Sequence, residues 1–377
     1  MSQVRDAWCA VAAAFAVVAL AFPVAGGDAP MLWWDTPLAA AGLAIFLLTT
    51  LRFAWRRPEG VRHNVILLAV VALGCVVALN FLYGGAGGRA TYGFWLFVLG
   101  LWAATWRGLD GIANVRTLDT IRQRLIDLAV PIVFGLWLMF LWEVGTVGFG
   151  VPQVLLPAPS MIAARFAGSL DILAADFQQT FLKAVLIGYA LGCGAGFAVA
   201  VLVDRVPFLQ RGLLPLGNLV SALPIIGMAP IMVMWFGFDW PSKAAVVVIM
   251  TFFPMLVNTV TGLTTAGAHE KELMRSYAAG YWQTLFKLRL PAALPFIFNA
   301  LKINSTLALI GAIVAEFFGT PIVGMGFRIS TEVGRMNVDM VWAEIVMAAL
   351  AGSAFYGVMA LTERTFTFWH PSYRERR

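Results

Sequence analysis

The sequence predicts an all-α polytopic membrane protein with about ten transmembrane helices, on three observations. Of 377 residues, 60% are hydrophobic and only 12% are charged, whereas ordinary soluble domains carry roughly a quarter charged residues. Mean hydropathy is +0.83. Charge-free runs near the ~20 residues that cross a bilayer core recur along the whole chain.

Taken in order, the predicted spans are Ala7–Ala25, Thr36–Leu51, Asn64–Tyr83, Ala90–Trp106, Leu128–Val147, Phe177–Val203, Gly212–Phe238, Ala244–Leu263, Pro291–Phe318 and Val341–Thr362. Arg5 before the first span and Ala25-Gly26-Gly27 after it also match the layout of a signal peptide, and the loop charges fit either case. The first four spans form an N-terminal extension, residues 1–125, with no polar intramembrane residue beyond Asn80 and a Gly-rich connection at Gly84–Gly88. The basic stretch Arg107–Arg124 is long enough for a short helix joining this extension to residues 126–377.

The second part is richer in signals. Val151–Ser160, VPQVLLPAPS, is too Pro-rich for regular helix, and an amphipathic stretch follows it to Asp176. Gly188, Gly192 and Gly196 lie at four-residue spacing, which gives one helix face a flat stripe for close packing. The seventh span holds Pro215, Pro224 and Pro230 with Gly217, Gly227 and Gly237, and the eighth holds Pro254 and Asn258. Each interior Pro frees a backbone carbonyl that needs a partner; kinking for packing and lining of a path both meet that need. Pro224, Met228, Pro230, Asn258, Asn304 and Glu316 are the candidate path residues. Lys302 and Glu316 are about 21 Å apart along one helix, too far to pair with each other. Lys302 is expected to snorkel to the inner face, and Glu316 is a candidate for gating or assembly.

Lys and Arg set the orientation. With the N-terminus inside, 19 of the 26 basic residues fall on inner segments. Both termini and the island around residues 269–289 are therefore expected in the cytoplasm. The net charge of +6 is a topology signal. The basic residues are spread over six segments without one patch, which argues against nucleic acid as a partner. Cys9, Cys75 and Cys193 lie in predicted spans and indicate neither a disulfide framework nor a metal site.

The island itself, HEKELMRSYAAGYWQTLFKLRLPAALP from His269 to Pro295, is charged and polar between two apolar runs. Met274, Tyr277, Tyr281, Leu285 and Leu288 fall at helical spacing and make one apolar stripe. Such a helix can lie flat on a membrane, be buried by its own protein or enter a partner's groove, and composition leaves the three open.

The island resembles the cytoplasmic loop of binding-protein-dependent ABC importer permeases. Their pattern runs Glu-Ala-Ala, three residues, Gly, nine residues, Ile, one residue, Leu-Pro. Here Glu272, Ala278, Leu288 and Leu290-Pro291 fall on the Glu, Gly, Ile and Leu-Pro positions. The two alanines are Leu273 and Met274, and Gly is replaced by Ala278, with Gly280 two residues on. Ala disfavours the positive φ that Gly permits, so the turn at 278 is where this chain departs. LLPAPS at 155–160, ALPIIGMAPIMVMWFG at 222–237, FFPMLVNT at 252–259 and AEFFG at 315–319 resemble the nitrate, sulfonate and thiamine-precursor branch, over about residues 126–370.

The resemblance implies a six-helix type I permease core. It implies a second permease copy, most simply in a homodimer, and two ABC ATPase subunits that carry ATP and Mg. An extracytoplasmic solute-binding protein would complete the assembly in the lipid of a bacterial inner membrane. It places ATPase coupling on Glu272, Arg275, Tyr277, Ala278, Ala279, Gly280, Leu290 and Pro291. The chain has no GxxxxGK[ST] phosphate loop, so no cofactor or catalytic residue is expected on it. The string LMRSYAAGYWQ followed by FKLRLPAALPF looks most like permeases for thiamine-precursor pyrimidines or riboflavin, with sulfonates and nitrate left open. Two other classes fit less well. An ion-coupled secondary transporter calls for two comparable halves, and residues 1–125 and 126–377 are not alike. A membrane enzyme calls for converging reactive groups, and no HExxH, GxSxG or CxxC occurs.

Overall fold

The computed structural model describes residues 6–369, apart from 27–30, 57–59, 85–89, 117–118, 207, 214, 216–223 and 320–321. The predicted glycine turn at 85–88, Gly217 and residues 1–5 and 370–377 thus lie outside the described residues. Among those described, the only β pairing is a pair of isolated bridges from Ala25 to Met31 and Ala90.

A helix lies in each of the ten predicted positions, but the one within the predicted span Gly212–Phe238 runs only over Ile225–Phe236, starting after Pro224. In chain order these are α1 Ala7–Ala19, α2 Pro37–Trp55, α3 Gly60–Tyr83, α4 Tyr92–Ala113 and α5 Thr120–Gly148. After α6, Pro159–Gly168, come α7 Leu170–Arg205, α8 Ile225–Phe236 and α9 Trp240–Thr264. The island contains α10 Ala268–Ser276, followed by α11 Tyr281–Glu316, α12 Met325–Gly334 and α13 Val338–Phe366. Seven of them (α2, α3, α5, α7, α9, α11 and α13) are long and apolar enough to cross a membrane. Packing divides the chain into two compact units, 1–161 and 162–377. The division falls one helix later than the change of character at 125/126.

The first unit is built on small residues and aromatics. Ala12, Ala16 and Ala19 on α1 have no exposed surface. Trp33 is buried against Phe81 and Phe97, and its indole N–H donates to the Ala19 carbonyl at 2.9 Å. At one end of α1 the Asp6 carboxylate caps the helix through the Cys9 amide, at 3.1 Å, and pairs with the buried Arg107 guanidinium. Arg107 also reaches Asn64 Oδ1 at 3.3 Å. This polar knot corrects two expectations. The extension does hold buried polar groups, and α4 runs through Arg107 to Ala113, because Asp6 neutralises the charge where the span was expected to stop. Among the described residues no separate helix joins the two parts: α4 ends at Ala113, and Asp119 caps α5 through the amides of Ile121 and Arg122.

The first permease-like helix, α5, belongs to this unit. Glu143 accepts from the Tyr83 hydroxyl at the end of α3, and from Ser160 through its amide at 2.8 Å and hydroxyl at 2.6 Å. Phe149 stacks on Trp95 with ring centres 4.2 Å apart.

In the second unit α9 is central, packed against α7, α8 and α11. The glycine stripe behaves as expected. A Cβ on Gly188 would stand 2.7 Å from the Ala244 carbonyl oxygen, and one on Gly196 would stand 2.5 Å from that of Phe252. α7 and α9 touch backbone to backbone because those side chains are absent. α7 and α9 run parallel, with Gly188, Gly192 and Gly196 set against Ala244, Val248 and Phe252 in order, while α11 runs against both and α13 against α11. One end of the unit therefore holds the termini of α7, α9 and α13 with the island, and the far end holds the start of α9 and all of α12.

Candidate functional site

The island is a bent element. α10 ends at Tyr277, and Ala278 takes φ +53°, a left-handed conformation uncommon outside Gly. The Ala278 amide donates to Arg275 O and the Ala279 amide to Met274 O, both at 2.9 Å. This pair of bonds is a Schellman stop, with Ala278 where Gly usually sits. Gly280 is extended (φ −69°) and caps the start of α11, where its amide donates to the Gln283 side chain at 3.1 Å. Ala278, then, supplies the turn, at a conformational cost of about 1–2 kcal/mol.

That turn splits the predicted stripe. In α10 no residue is buried. Glu272, Arg275 and Ala278 are exposed, Tyr277 is 78% exposed and Leu273 57% exposed. Burial of α10 by its own unit is thereby removed from the three alternatives. Beyond the turn, Leu285 is only 2% exposed, and Tyr281 and Leu288 are half-buried.

This second stretch is tied to the end of α7. The Arg289 guanidinium spans both Asp204 oxygens, at 2.8 and 2.5 Å, and its Nε donates to the Leu263 carbonyl at 3.0 Å. The Tyr281 hydroxyl donates to Asp204 Oδ2 at 2.9 Å, and Arg205 lies 5.6 Å from the Tyr281 ring centre. Bidentate pairing fixes position as well as charge. The chain then turns as π-helix over Leu285–Arg289 and continues through Leu290-Pro291 without a break. The predicted span from Pro291 thus begins ten residues earlier, at Tyr281. Pro291 has no N–H to give, and the wider π turn ahead of it places the bonds differently.

The path candidates fall in two groups. Pro224 caps α8 and is exposed, while Met228 and Pro230 are half-buried along α8. Half-buried Asn258 donates to Pro254 O at 2.8 Å within its own helix, using the carbonyl near the proline. Asn304 and Glu316 lie within the packed interior, at 0% and 2% exposure. Asn304 joins three helices, donating to Thr251 O at 2.8 Å and to Cys193 Sγ at 3.2 Å.

Glu316 organises the far end. It accepts from Thr180 Oγ1 at 2.8 Å and from the Gly326 amide at 2.7 Å. Thr180 Oγ1 accepts from the Met325 amide, at 2.8 Å, and Asp176 from that of Gly324, at 2.6 Å. Three of the first donors of α12, the amides of Gly324, Met325 and Gly326, which a helix leaves unpaired, are thus met by side chains. Gly324 needs to be Gly: its φ is +142° and a Cβ would stand 2.8 Å from the Glu316 carboxylate. Lys302 pairs with Glu363 on α13 at 2.7 Å.

Sequence reasoning missed Asp204, Asp176 and Thr180. Each acts on a residue at least 77 positions away, and only the presence of polar groups at the ends of an apolar run pointed to them.

The chain matches the family model "Binding-protein-dependent transport system inner membrane component" over residues 188–367. It is 32% identical over 247 residues to the formylaminopyrimidine transport permease protein of Halalkalibacterium halodurans, covering 66% of this chain and 98% of that protein. It is 29% identical to the riboflavin transport system permease protein of Chloroflexus aurantiacus, over 65% of this chain and 91% of the relative. It is also 29% identical to a putative aliphatic sulfonates transport permease protein of Bacillus subtilis, over 62% and 84%.

Proposed function

The chain belongs to the family of binding-protein-dependent transport system inner membrane components, and on that premise we propose that α10 docks a separate ATPase and transmits its motion. As a multi-pass permease subunit of an ABC importer, the chain is not itself an enzyme; ATP is hydrolysed on another subunit. The observation that carries the docking assignment is the contrast along the island. An exposed helix without one buried side chain is joined through the Ala278 turn to a stretch fixed on Asp204. A partner that moves α10 thereby moves the end of α11. In this reading two ATPase subunits with ATP and Mg serve two permease copies. The island faces the cytoplasm, as the basic-residue bias supports, and an extracytoplasmic binding protein delivers solute.

The solute in this reading is a small heteroaromatic such as a thiamine-precursor pyrimidine or riboflavin. The island strings and the two relatives named for formylaminopyrimidine and riboflavin support it.

The test is co-purification in mild detergent. An ATPase subunit should be retained in stoichiometric amount and lost when residues 271–280 are scrambled. A chain that purifies alone and moves solute without ATP refutes the docking assignment.

A further inference from the structure

At the far end of the second unit a cleft of about 540 Å³ opens between the start of the π-helical part of α7 and the turn before α9. Its walls include Gln178, Gln179, Lys183, Phe238 and Asp239. Cavities of this size hold small organic ligands.

Three features show a prepared surface. The stretch Gln178–Val185 is π-helical, a distortion frequent at functional sites. It brings Lys183 one turn from Gln179, whose side-chain oxygen accepts from Lys183 Nζ at 3.0 Å. Gln179 Nε2 in turn donates to Asp239 Oδ1 at 2.8 Å. This chain of bonds fixes the Gln179 amide between one cation and one anion. Asp239 itself is held below the usual carboxylate range, first by the Trp240 amide, which donates to it at 2.8 Å. The charged pair leaves the cleft without net charge.

Phe238 supplies the second feature. It is 67% exposed, yet its backbone is held. The buried Lys243 ammonium takes the Phe238 carbonyl at 2.6 Å and also the Gly319 carbonyl. Gly319 has φ +146°, and a Cβ there would stand 2.7 Å from the Phe238 ring. The ring is therefore presented on a rigid turn and not packed away. Third, the exposed Gln178 amide makes no hydrogen bond among the described residues, leaving a donor and an acceptor side by side at the cleft.

We propose that this cleft receives the transported solute, and that it selects an uncharged or zwitterionic heteroaromatic ring stacked on Phe238 with its amide-like edge read by Gln178. The proposal rests on the importer reading above and deepens it, since it moves part of the selectivity onto the permease. A small anion finds the Asp239 carboxylate near the Lys183 ammonium at the cleft surface, which works against sulfonate or bicarbonate.

The experiment uses the whole permease–ATPase complex in nanodiscs without binding protein, with riboflavin, formylaminopyrimidine, taurine and bicarbonate as probes. Riboflavin binding is read by fluorescence quenching and the others by calorimetry. At least one of the two ring compounds should bind saturably. Phe238→Ala should weaken it about tenfold, as expected for loss of stacking on one aromatic ring. Phe238→Tyr should restore it, and Gln178→Ala should weaken it several-fold. Binding of neither ring compound, equal binding of taurine, or affinity unmoved by Phe238→Ala and Gln178→Ala overturns the proposal. Every variant is also assayed for retained ATPase subunit and for ATP hydrolysis stimulated by binding protein. With both intact, a negative binding result counts against the cleft alone; loss of the ATPase from the unmutated complex counts against the importer reading.

Discussion

Between Ala268 and Ser276 every side chain is at least partly open to solvent, whereas Leu285 is 2% exposed and Arg289 grips Asp204 with two bonds. The two stretches are separated only by the Ala278 turn. One keeps its surface for something outside the chain, and the other has used its surface on the chain itself. A rigid transmitter needs both: an arm free to be gripped and a base that does not slip when the arm moves.

Breaking the base should have the larger effect. Asp204→Ala leaves Arg289 without its carboxylate and Tyr281 without its acceptor, and loss of one partner of this half-buried pair costs up to about 3 kcal/mol, below the ~3–5 kcal/mol of a fully buried one. The purified protein should unfold at lower temperature and lose ATP-driven uptake together. If uptake survives that loss of stability, the base does not transmit motion.

Breaking the arm should separate the two readouts. Tyr277→Pro removes the amide that donates to Leu273 at 3.2 Å and disturbs the residue before it, a change worth up to ~3 kcal/mol locally. Because Tyr277 is exposed, thermal stability of the isolated permease should hardly move. Uptake coupled to ATP hydrolysis should collapse in vesicles that retain the protein. Glu272→Lys should do the same more weakly, through a reversed charge on the docking face, and the loss should depend on salt. Uptake unchanged in both variants removes the docking assignment.

The smallest effect concerns the joint itself. Ala278→Gly keeps the left-handed turn and relieves its strain, so it should stabilise the bend by about 1 kcal/mol without loss of uptake. A destabilised Gly variant would mean that the Ala methyl group is itself in use.

The legible parts of this molecule were those with a local signature. Long apolar runs marked the spans, the glycine spacing at 188, 192 and 196 marked a close helix contact, and motif spacing marked position 278 as a turn. The motif even located the turn where its usual glycine is missing, since backbone geometry there is set by the Schellman bonds around it. Pairings across the chain left no such trace. Asp6 with Arg107, Asp204 with Arg289 and Asp176 with the start of α12 join distant segments, and nothing near one partner announces the other. Glu316 shows the same limit from another side. Its burial and charge were legible, but its work of capping α12 depends on a helix that begins nine residues later.

The Asp6–Arg107 pair also sets a timetable. The partners are 101 residues apart, so at a synthesis rate of about 5–20 residues per second Asp6 emerges some ~5–20 s before Arg107 exists. During that interval α1, only 13 residues long, has a carboxylate at its start and no Arg107 to neutralise it. The ion pair that ties the start of α1 to α4 can therefore form only once translation has passed Arg107.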